Sequence, residues 1–423
     1  LLYLPAILIG RAVRTLIRKV RPGGGSALPG LVLSKIAPGL LAKTIKGFPD
    51  GLIVVTGSAG KSTTTKMLVA IVREHGKTVF TNPSTANISQ GFYSAILERS
   101  NLFGRIVADV AIFEMDEGHA AEITARIAPN QSTILNVLED QLDRFVDPVV
   151  VREKLTQVAK RTHGAVLLNS DDQNTVQIAE ELDDSAKTVW FGINPRLLAS
   201  AKHGLGAAPT YLPELKRPAP SAEITGVDGV DATAVLGNLE TKFSLPNRGL
   251  HYALDSIAAL ASAKAYLGSH FDLDLAARVL DDLPPVFARG EIAQVGGEDV
   301  EFILVQNPMS FQLNLDNLNT RPEQIMVAIG TDVHDPSWLW TVDMSNLSHA
   351  DVVSGYNYAE IALRLAYADV PIGVVEGDLE KALEVFFALP KPASGMKTVI
   401  FSADSMRRTR RILGFTDPEA VDR

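Results

Sequence analysis

The chain has 423 residues, a net charge of −9 and no cysteine. The missing cysteines exclude disulfide scaffolds, thiol nucleophiles, iron–sulfur clusters and cysteine-based zinc sites. The acidic balance argues against nucleic acid as a partner, and 46% apolar with 21% charged residues is ordinary for a globular protein of two or three domains.

Residues 1–9 are apolar, and Arg11, Arg14, Arg18, Lys19 and Arg21 follow. The run is far short of the roughly 20 residues that span a bilayer. Its positive charge comes after the apolar stretch, the reverse of a signal peptide. Two readings stand for residues 1–22: a helix packed on the body, or a cationic amphipathic segment in peripheral contact with an anionic membrane surface. From Leu52 onward, strands alternate with helices. LIVVT (52–56) reads as a buried strand and Lys61–His75 as a helix. Further short strands are expected at 107–113, 132–137, 165–169 and 188–191. Residues 193–222 are rich in proline and glycine and read as an excursion from the sheet. An Ala-rich helix follows at 250–267, and Pro284 and Pro285 mark a break. Strands resume at 300–305, 325–330, 351–355, 371–375 and 397–402. The alternation predicts an α/β fold with a mostly parallel sheet, followed by a second, Rossmann-like α/β unit. The expected division is an arm at 1–45, a nucleotide-binding central domain at 46–288 and a C-terminal domain at 289–423.

Between the first strand and the first helix lies Thr56-Gly57-Ser58-Ala59-Gly60-Lys61-Ser62-Thr63. It is the short G-x-x-G-K-[ST] form of a phosphate loop; Val55 stands where the full pattern has glycine. The placement aims backbone N–H groups and a helix N-terminus at an anion. Gly57 and Gly60 allow close backbone approach, Lys61 suits the terminal phosphates and Ser62 suits Mg²⁺. The bland alternative is a glycine-rich turn capping a helix. Glu114, Asp116 and Glu117 follow one strand, and Asp140 and Asp143 follow the next. Acids at the carboxyl ends of parallel strands fall beside such a loop, where a hard cation needs oxygen ligands.

The segments TGSAGKSTTT, TNPSTAN (81–87), FEMDE (113–117), LNVLEDQLDRF (135–145) and LNSDD (168–172) resemble the ATP-binding domain of the Mur ligases. SALPGLVLSKIAP (26–38), Gln141 within DQLDR, VQNPMSF (305–311) and DPSWLWTVD (335–343) narrow the resemblance to MurT-type subunits of lipid II isoglutaminyl synthase. The resemblance implies an ATP-dependent carbon–nitrogen ligase of peptidoglycan biosynthesis. It implies cytoplasmic amidation of the D-glutamate α-carboxylate of lipid II through an acyl-phosphate, at the inner face of the plasma membrane on the membrane-contact reading. Ammonia would come from a separate GatD-type class I glutaminase subunit in a heterodimer. ATP and Mg²⁺ are the implied cofactors. The residues carried over for the nucleotide are Gly57, Ser58, Ala59, Gly60, Lys61, Ser62, Thr63, Asn87 and Arg289. Those for the metal are Ser62, Ser84 and Glu114. Lys61, Glu114 and Asp335 are carried over as catalytic, Asp335 as the third member of a Cys-His-Asp triad completed across the subunit interface. The alternative for Asp335 is an N-cap before Pro336. Lys154 falls near a lysine that many Mur ligases carbamylate; the alternative is a surface lysine. Trp338 and Trp340 read as packing or interface anchors.

Several matched positions depart from the family pattern. Gln306 stands for Lys, Tyr252 and Asp255 for two asparagines, Asn357 and Glu360 for Arg and Asp, and Ala288 for the glycine of F-G-R. The family often inserts a Cys₄ zinc ribbon near the 193–222 stretch. Without cysteine, and with eight histidines showing no i,i+4 pair, no zinc is expected. Two alternatives remain: a stand-alone Mur-type amino-acid ligase, and a degenerate nucleotide-binding scaffold for the glutaminase.

Overall fold

The apolar run Leu52–Thr56 (β1) forms a strand buried along its whole length, as a central strand of a parallel sheet covered on both faces must be. The computed structural model describes residues 3–20, 27–82, 88–138, 147–210, 212–284, 289–318 and 323–415. Within them β1 is joined by β2 (Val79–Thr81), β3 (Val110–Glu114), β4 (Gln131–Ile134), β5 (Ala165–Asn169) and β6 (Lys187–Ile193). The sheet continues through β7 (Ala222–Asp228), β8 (Asp231–Leu236) and β9 (Leu239–Ser244). The strand order is β2-β3-β1-β4-β5-β6-β7-β8-β9. Pairing is parallel from β2 to β7 and antiparallel from β7 to β9.

Alternation along β1 splits the core. Ile53 and Val55 face Met67, Leu68 and Ile71 of helix Lys61–Glu74 and Ile257 and Leu260 of helix Leu250–Leu267. Val54 faces Phe92 and Ile96 of helix Ser89–Arg99, with Phe113 stacked on Phe92 at 4.8 Å. Truncating one of these buried aliphatic side chains to alanine costs roughly 2–5 kcal/mol.

The second sheet contains β10 (Arg289–Val295), β11 (Glu298–Leu304), β12 (Gln324–Ala328), β13 (Ala350–Ser354), β14 (Ile372–Val375) and β15 (Lys397–Phe401). Its order is β10-β11-β15-β12-β13-β14. Only the β10–β11 pair is antiparallel.

The expected strands form, with boundaries shifted by up to three residues. Sequence patterning missed β2, β7–β9 and β10. β2 is only three residues long. β7–β9 alternate buried and exposed positions, so they carry no continuous apolar run. The 193–222 stretch contains only the short helix Pro195–Leu198 among its described residues before β7 begins. Polar contacts tie it down. Arg217 bonds Asp171 at 2.7 Å and the Ile193 carbonyl at 2.9 Å, and Gln173 pairs with the backbone of Leu215. Helix Leu4–Val20 packs on the body through Ile7 and Gly10. No helix among the described residues is long and apolar enough to cross a membrane.

Candidate nucleotide site at the carboxyl edge of the first sheet

Sheet register assembles the site. Val55 lies opposite Glu114 on β3, and Thr56 lies opposite Ile134 on β4. The chain leaving β1 therefore meets the ends of β3 and β4 at the carboxyl edge. Gly57 and Gly60 there have φ of +130° and +82°, a region that side-chain-bearing residues rarely adopt. A Cβ at Gly57 would also lie 3.0 Å from the backbone of Asn136.

Asn136, two residues beyond β4, holds the loop in shape. Its Oδ1 accepts from the Ala59 N–H at 2.8 Å and its carbonyl from the Ser58 N–H at 3.1 Å. The Ser58 hydroxyl accepts from the Leu138 N–H at 3.0 Å. The loop thus leads directly into helix Lys61–Glu74, whose N-terminal N–H groups and dipole favour an anion.

Lys61 is buried and folds back over the loop. Its Nζ donates to the carbonyls of Gly57 and Ser58 and stands 3.5 Å from Glu117 Oε1. Ser62 Oγ donates to Glu114 Oε1 at 2.9 Å, again within the protein. Asn82, at the end of β2, bonds both the N–H and the carbonyl of Glu114 and fixes the end of β3. Asp116 caps helix Glu117–Thr124 through the Gly118 N–H. The hydroxyls of Thr56 and Thr63 are buried with no protein partner.

These features fit a nucleotide phosphate and a hard divalent cation. Gly57 and Gly60 leave a cradle that a side chain would fill. Ser62 and Glu114 present two oxygens of the type Mg²⁺ prefers, and the Thr63 hydroxyl, on the next residue, is a buried donor without a protein partner. No cluster of three or more His, Asp or Glu able to hold a metal occurs among the described residues.

Residues from the second sheet complete a cleft over the loop. Ala59, Gly60 and Asn136 line it with Tyr252, Gln306 and Met309. Gln306 precedes helix Pro308–Asp316, where Asn307 and Ser310 form a capping box. Asp255 packs hard on the loop: a Cβ at Gly60 would lie 2.1 Å from its Oδ1. Behind the cleft, the 193–222 excursion reaches across to the second unit. Lys202 bonds Asp343 at 2.6 Å and Ser345 at 3.0 Å, and His203 bonds Asp316 at 2.8 Å.

The structure brings together Gly57, Ser58, Ala59, Gly60, Lys61, Ser62, Thr63 and Glu114 from the sequence expectation. Ser84 and Asn87 lie outside the described residues, as do Asp140, Gln141 and Asp143. Arg289 opens β10; its side chain also lies outside them. Lys154 is half-buried on helix Pro148–Lys160. Asp335 is separate from this cluster. It is exposed and caps the turn Pro336–Thr341 through the Ser337 N–H at 3.0 Å. Hydrogen bonds from Ser337 hold its carboxyl below the usual carboxylate range. Asn357 donates to the carbonyls of Gly330 and Val333 at 2.9 Å and fastens the loop that carries Asp335. The two tryptophans divide. Trp338 packs on Phe311, whereas Trp340 is exposed against Tyr367 and Arg364. Sequence reasoning noted Glu117 only as one of several acids and missed Asn82 and Asn136. Their signal was position: each stands at or just beyond the carboxyl end of a strand.

Comparison with known proteins agrees with this geometry. Residues 55–204 match the Mur ligase middle domain, and residues 304–401 match the MurT ligase C-terminal domain. The chain is 25% identical over 406 residues to the MurT subunit of lipid II isoglutaminyl synthase (glutamine-hydrolyzing) from Streptococcus pneumoniae, covering 86% of this chain and 87% of that one. Among solved structures, MurF from Acinetobacter baumannii superposes with a TM-score of 0.68 at 17% identity, covering 91% of this chain and 80% of that one. MurF from Thermotoga maritima in complex with ADP gives 0.65 at 18% identity, with 90% and 83% covered. Two family models match in the expected order, so the chain carries a Mur ligase middle domain followed by a MurT-type C-terminal domain, on a fold shared with solved Mur ligases.

Proposed function

We propose that this chain is the ATP-dependent synthetase subunit that amidates the D-glutamate α-carboxylate of the lipid II stem peptide. The observation carrying the reading is the buried Lys61–Glu117 and Ser62–Glu114 cluster beneath a phosphate loop, facing a MurT-type C-terminal unit. The likeness to the pneumococcal MurT subunit supports the substrate. In this reading the backbone N–H groups of residues 60–63 cradle the phosphates of ATP and Lys61 supplies a cation to the terminal ones. Ser62 and Glu114 hold Mg²⁺, which offsets charge on the transferring phosphoryl group.

The substrate carboxylate oxygen attacks the γ-phosphorus, and ADP leaves. Ammonia then attacks the acyl carbon of the acyl-phosphate. The carbon–oxygen bond to phosphate breaks, and the nitrogen gives up a proton to the leaving phosphate as the amide forms. Ammonia must be delivered from elsewhere, because a chain without cysteine cannot be a cysteine-dependent glutaminase. A GatD-type glutaminase subunit is the proposed source, and Asp335 its proposed contribution from this side: a carboxylate that orients the partner's imidazole and stabilises its charged form. The reading sets the chain in the cytoplasm, where ATP is supplied.

A second reading has one observation in its favour. Asp255 puts a carboxylate against the phosphate loop, which suits a scaffold that binds nucleotide weakly. One experiment separates the two. Amidated lipid II should form only with ATP, glutamine and both chains, and Lys61→Ala should abolish it. Unchanged product with Lys61→Ala would leave the scaffold reading.

A further inference from the structure

The 49 residues before Asp50 contain eight Lys and Arg and no Asp or Glu, in a chain of net charge −9. Helix Leu4–Val20 occupies the first part of this basic stretch. Its inner side is fully committed. Ile7 is buried, and a Cβ at Gly10 would meet Leu97 of helix Ser89–Arg99 at 2.7 Å. Arg11 donates to the Leu97 and Ser100 carbonyls, and Arg14 pairs with Glu98 at 2.6 Å.

The outer side is apolar as well. Pro5, Leu8, Ile9, Ala12 and Leu16 are exposed, with Leu8 at 49%, Ile9 at 50% and Leu16 at 64%. Their spacing follows one stripe of a helix. A solvated helix would carry polar residues there. The 101–107 loop packs against the same helix through its inner side, because a Cβ at Gly104 would stand 2.8 Å from Ile7. That loop exposes Leu102 at 48%, Phe103 at 56% and Val107 at 87%. Arg99 and Arg105, both exposed, flank these residues. Exposed apolar surface of this kind marks an interaction face.

We infer that this face docks on the surface of an anionic lipid bilayer. The outward apolar stripe enters the headgroup boundary, and the acid-free basic stretch provides attraction to the lipid charge. The charge decides the occupant: Arg11 and Arg14 are turned inward, but the stretch holds eight cations and no acid, and the exposed Arg99 and Arg105 add to it, a net charge that complements anionic lipid. The face is distinct from the nucleotide cleft, and its docking does not depend on the proposed amidation.

The test is co-sedimentation of the full chain with mixed phosphatidylglycerol–phosphatidylcholine vesicles and with phosphatidylcholine vesicles, without nucleotide. The chain should partition onto the anionic vesicles, and raised salt should weaken binding several-fold. Leu8→Gln/Ile9→Gln/Leu16→Gln should lower partition at least about tenfold. Leu16→Gln alone, at the most exposed stripe position, should lower it about threefold with an unchanged melting temperature. Phe103→Ser/Val107→Ser should give a similar partial loss. Equal binding by the triple variant, or no binding of the parent chain to anionic vesicles, overturns the inference. So does light scattering that finds a dimer which the triple variant dissolves, because the stripe would then be a self-interface. Amidation of a soluble substrate fragment by the triple variant should match the parent, so a failure of docking and a failure of the amidation reading are distinguishable.

Discussion

Lys61 Nζ stands 3.5 Å from Glu117 Oε1, and both side chains are buried. The pair joins the first residue of the phosphate-loop helix to the first residue of the helix after β3. Removing one partner of a buried ion pair leaves the other charge exposed to a poorly solvating interior. Glu117→Gln should therefore lower unfolding stability by about 1–3 kcal/mol in urea titrations, the loss being moderated by the two carbonyls that also hold Lys61. Lys61→Met should instead show its main effect in calorimetric titration with an ATP analogue, weakening it at least about tenfold. Equal nucleotide affinity in Lys61→Met would remove Lys61 from the site.

The Ser62–Glu114 contact is the proposed metal position. Ser62→Ala and Glu114→Gln should each raise the Mg²⁺ concentration that half-saturates analogue binding by roughly 10–100-fold, since the first removes an oxygen ligand and the second the ligand's negative charge. Chelation with EDTA should abolish amidation, and added Mg²⁺ should restore it. A Mg²⁺ dependence identical to the parent in both variants would reject the assignment.

Asp255 is a departure with an electrostatic consequence. Its carboxylate abuts Gly60, where polyphosphate charge would gather. Two like charges some 6–8 Å apart repel by about 2–3 kcal/mol at a surface-like dielectric. Asp255→Asn, the residue the sequence resemblance leads one to expect there, should tighten ATP-analogue binding about fivefold or more. Weaker binding would mean that the carboxylate supports the loop rather than opposing the ligand.

Asp335 predicts a split between two nitrogen sources. With the glutaminase partner present, Asp335→Asn should cut glutamine-driven amidation at least about tenfold, because the partner's imidazole loses its orienting charge. Amidation driven by added ammonium salt should be unaffected. Equal loss with both sources would place the defect in this chain's own fold, and no loss would refute the role.

Asp172 gives a pH signature. It is fully buried at the start of helix Gln173–Glu180, and desolvation raises its carboxyl from 3.8 to about 6 against the opposing bonds from the Val137 and Asn174 N–H groups. Between those values the folded chain holds a proton that the unfolded chain has released. Stability from this group therefore falls as pH rises through about 4 to 6 and is level above that, a change of at most about 3 kcal/mol. Asp172→Asn should flatten that part of the stability curve in urea titrations. An unchanged slope would show that Asp172 titrates normally.

The sequence by itself determined the phosphate loop, the strand–helix alternation and the acid-free basic arm. Each is written in contiguous residues: Thr56–Thr63 carries its own glycine spacing, and a strand buried on both faces shows as an unbroken apolar run. The absent cysteine also excludes a cysteine nucleophile from these 423 residues. Tertiary structure decided the rest, because the remaining contacts are set by sheet register. Glu117 meets Lys61, Asn136 braces Ala59 and Asp255 presses on Gly60 only because β1 lies between β3 and β4 and helix Leu250–Leu267 packs across them. The half-exposed strands β7–β9 also emerged only there, since alternating burial leaves no local run. So did the outward stripe on helix Leu4–Val20. Its residues are apolar on more than one side, and only the packed neighbour Ser89–Arg99 decides which side meets protein and which meets solvent.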